Sequence, residues 1–261
     1  MSRQSKYEKL IRSWFSSDTC VVNSKKLLPS KQEVDLYFPK YKIGVEVNGA
    51  MWHSEAAGRT KYYHQEKFLE ARSVGINLLS FYDWEIKSNP TLAKAMIERE
   101  MLKCYKLHLS QVKQTSIDQA ELDNFLRNHT FAPIKGGTEF IGMKDKKGLA
   151  AIMGVYMGRD GIAVCSKYIE RNGVHIFRGV VELTNAFIND KGVDTLVSFS
   201  TDHGRLYPHT LIKNGFEVAY VTEPNFYYLQ ASRMLPSNTD LDTTGYTKVY
   251  DGGSIVLRRS K

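Results

Sequence analysis

Between residues 33 and 86 the chain concentrates side chains that hold metal ions or move protons: E-V-D-L-Y-F-P-K-Y-K-I-G-V-E-V-N-G-A-M-W-H-S-E, then K-Y-Y-H-Q-E-K, then G-I-N-L-L-S-F-Y-D-W-E-I. Asp35, Glu46, His53 and His64 are the candidates. Hard carboxylate oxygens suit Mg²⁺ or Mn²⁺, which polarises a phosphoryl oxygen and helps generate hydroxide. A histidine of ordinary pKa near 6.5 moves protons at neutral pH. Taken singly, an acidic residue is usually a solvated charge and a histidine a structural residue. Taken together, the four fit phosphodiester hydrolysis.

The elements around them must bring these residues to one place. Residues 33–38 alternate, with Val34, Leu36 and Phe38 on one face and Glu33, Asp35 and Tyr37 on the other, and Pro39 ends the strand. The next run sets Ile43, Val45 and Val47 against Gly44, Glu46 and Asn48, so Asp35 and Glu46 project from neighbouring strands to a common side. Two like charges held close are costly unless a cation or a proton shares them. An amphipathic helix over 6–15 is predicted to bury Tyr7, Leu10, Ile11 and Trp14. A helix over 60–74, a buried strand over 76–82 and a helix from Pro90 to Leu109 complete a small α/β domain, with its boundary placed at 111/112.

The pattern D-x-Y-x-P-x-Y-x-I-x-V-E-x-N-G-x-x-W-H-S, followed by Y-H-x-x-K and G-I-x-L-L-x-F-Y-x-x-E, resembles the very-short-patch-repair (Vsr) endonuclease fold of phage-type Vsr-like homing endonucleases, the EDxHD family, over residues 6–88. The resemblance implies a relative of the restriction-endonuclease core that cuts or nicks double-stranded DNA with Mg²⁺. By position, Asp35 is similar to the metal-binding aspartate, His53 to the water-activating histidine, and Glu8 to the first-helix glutamate that organises the site. His64 stands where the repair enzymes have an aspartate and would bind or orient hydrated metal. Glu46 and Asn48 fall on an E-x-K position whose lysine is absent, a charge Lys67 could supply from the next helix. Met51 and Trp52 occupy the place of apolar wedges between bases, and Lys25, Lys26, Lys31, Arg59 and Lys61 flank the site as phosphate contacts. The cysteine set of the family's structural zinc is missing, so no zinc is expected.

Charge agrees with a polyanionic partner. The net charge is +8, and residues 1–112 hold 18 Lys and Arg against 12 Asp and Glu. The three cysteines, Cys20, Cys104 and Cys165, are too few and too far apart for a disulfide framework. No apolar run is long enough to span a bilayer, so a cytoplasmic protein with no membrane partner is expected, in the host cytoplasm if phage-encoded.

Residues 112–261 alternate short strands with helices: strands over 139–143, 149–156, 162–168, 195–200 and 217–222, helices over 177–189 and 207–214, and a terminal hairpin over 246–257 turned by Asp251-Gly252-Gly253. The strand order and S-T-D-H-G-R-L-Y-P-H-T-L-I-K-N-G-F are similar to the GNAT acetyltransferase fold, although in H-I-F-R-G-V-V-E-L-T only Arg178 and Gly179 match its phosphate-cradling loop. The expected architecture is therefore α/β: a Vsr/restriction-endonuclease-like core over 1–111, then a degenerate GNAT-like α+β domain used for DNA recognition. The expected function is a Mg²⁺-dependent homing endonuclease, possible as a homodimer on DNA. The alternatives are a mismatch nickase, a DNA-binding protein with an inactive nuclease site, and an acetyltransferase acting through the second domain.

Overall fold

The computed structural model describes residues 4–49, 58, 60–131, 138–158, 162–192, 195–201, 212, 215–230, 233–237, 239–251 and 253–260. It is mixed α/β, as the sequence predicts. Two compact units divide the chain: one holds residues 1–94, 201–205 and 222–254, the other 95–200, 206–221 and 255–261.

In the first unit, helix α1 (Lys6–Trp14) starts at Ser5 in a reciprocal cap: Ser5 Oγ accepts from Glu8 N–H, and Glu8 Oε1 accepts from Ser5 N–H. The cap turns Glu8 inward, so the buried stripe is Glu8, Ile11 and Phe15 while Leu10 is exposed, which differs from the predicted apolar face. Strands β1 (Val21–Ser24), β2 (Val34–Phe38), β3 (Ile43–Asn48) and β4 (Asn77–Tyr82) form a sheet in that order. The pairs β1–β2 and β2–β3 are antiparallel, while β3–β4 is parallel across helix α2 (Tyr63–Ser73). β2 buries alternate residues as predicted. Every residue of β3 is buried, because this interior strand is covered on both faces.

Two short helices follow, α3 (Asp83–Ser88) and α4 (Pro90–Glu100). The predicted helix to Leu109 stops at Glu100 because Lys103 N–H bonds to Glu98 O and Leu102 N–H to Arg99 O, with Leu102 at φ +55°. This is a helix-ending motif that usually announces itself with glycine.

The second unit carries a seven-stranded sheet. Strand β5 (Tyr105–Leu107) stands outside it, paired in parallel with β10 (Val174–Ile176). Strand β6 (Lys113–Thr115) and helix α5 (Gln119–His129), capped by Asp118, lead into β7 (Glu139–Asp145), β8 (Gly148–Met157) and β9 (Ala163–Glu170). Helix α6 (Gly179–Lys191) then crosses to β11 (Thr195–Thr201), parallel to β9. Beneath α5, the residues Leu122 and Phe125 pack on Leu149, Ile152 and Ile169.

Strand β12 (Glu217–Val221) is followed by β13 (Phe226–Gln230), β14 (Arg233–Pro236) and β15 (Thr247–Tyr250), a three-stranded sheet of the first unit in which Leu229 and Val249 pack against Tyr82 and Trp84. The last strand, β16 (Ser254–Ser260), pairs with β12 in the large sheet, whose order is β12-β16-β11-β9-β8-β7-β6. The 251–253 turn thus joins strands of two different sheets, where the sequence suggests a hairpin. The predicted helix over 207–214 falls, except for residue 212, outside the described residues.

Gly44 lies where β3 has no room for a side chain: a Cβ there would stand 2.7 Å from Leu78 Cδ1 and 3.2 Å from Val34 Cγ1. Gly44→Ala should cost about 1–3 kcal/mol through overpacking, read as a lowered urea midpoint with an unchanged slope.

Candidate functional site

The first unit brings Asp35, Glu46 and Lys67 together. Glu46 is 4% exposed and Lys67 5%, and Lys67 Nζ donates to Glu46 Oε2 at 2.5 Å. Glu46 Oε1 accepts from Asp35 N–H at 3.4 Å, and Asp35 Oδ2 accepts from Val47 N–H at 2.8 Å. Beside them Asn48 donates to Ser80 Oγ at 2.5 Å. Burial pushes the Asp35 carboxyl up to about 8, with Glu46 and Glu8 adding to the rise and the Val47 N–H and Lys67 opposing it. Burial likewise raises Glu46, while Lys67 works against the rise. Burial disfavours the Lys67 ammonium, but Glu46 outweighs it and holds the amine above its ordinary value.

The remaining predicted residues are scattered. Glu8 contributes charge to the Asp35 site but spends its carboxylate on the α1 cap. His64 is half-buried in the first turn of α2, edge-on to Tyr63 at 5.2 Å between centroids. Met51, Trp52, His53 and Arg59 lie outside the described residues. Lys25, Lys26 and Lys31 are exposed, whereas Lys61 is bound to Glu223 at 2.5 Å, with Tyr62 Oη donating to the same carboxylate at 2.7 Å.

A second constellation, in the other unit, was predicted only at Arg178 and Gly179. β9 and β11 share a parallel register from Ala163–Leu196 to Cys165–Ser198; beyond it β9 runs on to Glu170 and β11 to Thr201 with no further pairing among the described residues. On its other side β9 slips against β8 between Lys167 and Cys165, leaving an extra residue, Ser166, in the strand. The strands α6 connects are thus laddered at one end only.

The start of α6 is unusual as well. Arg178 holds the N-cap at φ +61° with no side-chain cap bond, and Arg178 and Phe177 are exposed, the latter by 62%. A non-glycine residue in that region carries local strain. Gly179 is fixed by space: a Cβ would stand 2.5 Å from Tyr168 Oη and 2.9 Å from Ile176 Cβ. The first amides of such a helix form an anion-binding end. The signal available in the sequence was the pair Arg178-Gly179 alone; the bulge has none.

No family profile and no curated protein matches the chain. Solved structures do. The ribosomal-protein-S18-alanine N-acetyltransferase of Escherichia coli is 12% identical, with 57% of this chain covering 93% of that one at a TM-score of 0.37. A GNAT-family acetyltransferase from Bacillus cereus is 12% identical, with 57% and 97% covered and a TM-score of 0.37. A Bacillus subtilis acetyltransferase in complex with CoA is 12% identical, with 58% and 98% covered and a TM-score of 0.38. Likenesses of this size fix no residue's role.

The expectation of a Mg²⁺- or Mn²⁺-dependent homing endonuclease is corrected. The structures named above are acetyltransferases, and no three His, Cys, Asp or Glu among the described residues converge to hold a metal ion. The physical reason is local: the Lys67 ammonium already occupies Glu46, so among the described residues that carboxylate is spent on an ion pair. No helix among the described residues is long and apolar enough to cross a membrane.

The Asp35 shift has a stability consequence. An unfolded aspartate titrates near 3.9, and the folded carboxyl near 8. Its stabilisation is therefore complete below about pH 4 and lost as pH rises toward about 8. Asp35→Asn removes the titration, so its stability relative to wild type should climb between about pH 4 and 8 and level off above. Urea unfolding of both proteins across that range checks it, and parallel profiles would contradict it.

Proposed function

We propose that the second unit binds an acyl-coenzyme A and transfers its acyl group to an amine. The observation that carries this reading is the start of α6, the helix that crosses between the parallel strands β9 and β11: its first turn has no side-chain cap and begins on a glycine with no room for a Cβ. The α6 terminus with Arg178 suits a diphosphate. The neighbours in complex with CoA are consistent with it.

Acyl transfer needs little beyond placement: a neutral amine attacks the thioester carbonyl, a carbonyl oxyanion forms and collapses to the amide as the C–S bond breaks, and the proton lost from the amine nitrogen goes to the departing thiolate. Donors aimed at the oxyanion lower the barrier.

Calorimetric titration with acetyl-CoA tests this reading. Saturable binding is expected, weakened about five- to tenfold by Arg178→Ala with a shallower salt dependence. Gly179→Val should abolish binding. No saturable binding by the wild-type protein would refute the assignment.

For the first unit we propose the Vsr-like fold in a binding role, with duplex DNA as partner. Lys25, Lys26 and Lys31, exposed on the segment between β1 and β2, support this. A protein lacking these three lysines should bind a random duplex more weakly, and the slope of log K against log salt should fall by about one for each phosphate no longer neutralised. Fluorescence anisotropy at several salt concentrations measures both, and an unchanged slope would rule these lysines out.

A further inference from the structure

A buried polar network outside the sites above lies where β9 ends. Glu170, 4% exposed, accepts three hydrogen bonds: from Tyr168 Oη at 2.8 Å and Ile176 N–H at 2.8 Å on Oε1, and from His175 Nδ1 at 3.1 Å on Oε2. All three donors belong to the path 168–176, and a further contact is steric. Tyr168 Oη is the atom that leaves Gly179 no room for a Cβ. The carboxylate therefore fixes both ends of the loop that leads into α6: one through the Ile176 amide, the other through the phenol beneath Gly179.

We propose that Glu170 is a positioning residue for the α6 terminus, and that its partnership with His175 makes acyl-CoA binding depend on proton uptake. The proposal rests on the acyl-CoA reading. The groups facing His175 are Glu170 from β9, Arg99 and Glu100 from the end of α4, and its register partner Lys106 in β5. Arg99 is half-buried and engages Glu100 at 3.4 Å. Among these the Glu170 contact dominates and raises His175 above its ordinary value, with burial and Arg99 opposing.

Tyr168 stays a phenol, because burial and then Glu170 push it well above the usual range, so it remains a donor throughout. Histidine is thus the member that changes charge near neutrality. With imidazolium present, the carboxylate is fully paired and the loop is held. After deprotonation the pair loses its charge attraction, and a cation disappears four residues before a phosphate-binding helix end.

The test is acetyl-CoA titration from pH 7 to 9, where the cofactor's phosphates are already ionised and the blocked thiol cannot titrate, with wild type, His175→Gln and Glu170→Gln. Wild-type affinity should fall about three- to tenfold across the range, His175→Gln should be flat, and Glu170→Gln should be weaker at pH 7 and also flat. Wild type and His175→Gln falling in parallel would overturn the proposal.

If wild type binds no acetyl-CoA at any pH, the acyl-CoA reading fails and the positioning role is read separately. Amide hydrogen exchange over 176–181 should then speed up in both variants relative to wild type at pH 7, and unchanged exchange would overturn that role too. Urea unfolding of each variant separates local loosening from global loss of fold.

Discussion

A carboxylate taken out of water must be met by donors or by a proton, and in both units the local structure is arranged around one that is. Burial of an unpaired charge costs far more than any single hydrogen bond returns. Glu46 is met by Lys67 and by the Asp35 amide. Glu170 is met by a phenol, an imidazole and a backbone amide. Lys67 must lie on α2 and point at β3, which fixes the rotation of that helix over its sheet. Ile176 must present its amide to the end of β9, which fixes the path into α6.

The two solutions differ in kind. Around Glu46 a lysine satisfies one carboxyl while the second, Asp35, is accommodated by keeping its proton. That leaves a compact and largely neutralised interior, poor at accepting a metal ion. Around Glu170 the partners include a group that changes charge in the neutral range, and the cluster adjoins a helix terminus free of any side-chain cap. The first arrangement stabilises a core, whereas the second leaves a polar feature able to respond.

Much of the fold was legible because burial writes a period into strands. The alternation of β2 and the shared side of Asp35 and Glu46 follow from it directly. Lys67 was visible only as a lysine in the right helix, since the sequence does not show which way α2 is rotated. The end of α4 was illegible because Leu102 adopts a backbone conformation for which glycine is the usual marker. Strands β1, β10, β13 and β14 were missed because each is short, and β10 in addition depends on the distant β5. Glu170 and His175 were not singled out, since five residues apart in a turn they look like ordinary surface charges until β9 and β10 are placed. The helix cap hid Glu8 in another way, by turning a residue expected outside toward the interior.

The position of β16 bears on how the chain is made. It lies between β12 and β11, both of which precede it. During synthesis from the N-terminus, the edges of those two strands have no neighbour in this slot until residues 254–260 emerge. Every copy on a ribosome thus passes through a stage with two open strand edges, the geometry on which nascent chains pair with one another. Expression yield at high ribosome loading, and dependence on chaperones that shield nascent chains, should therefore respond to the length of that interval.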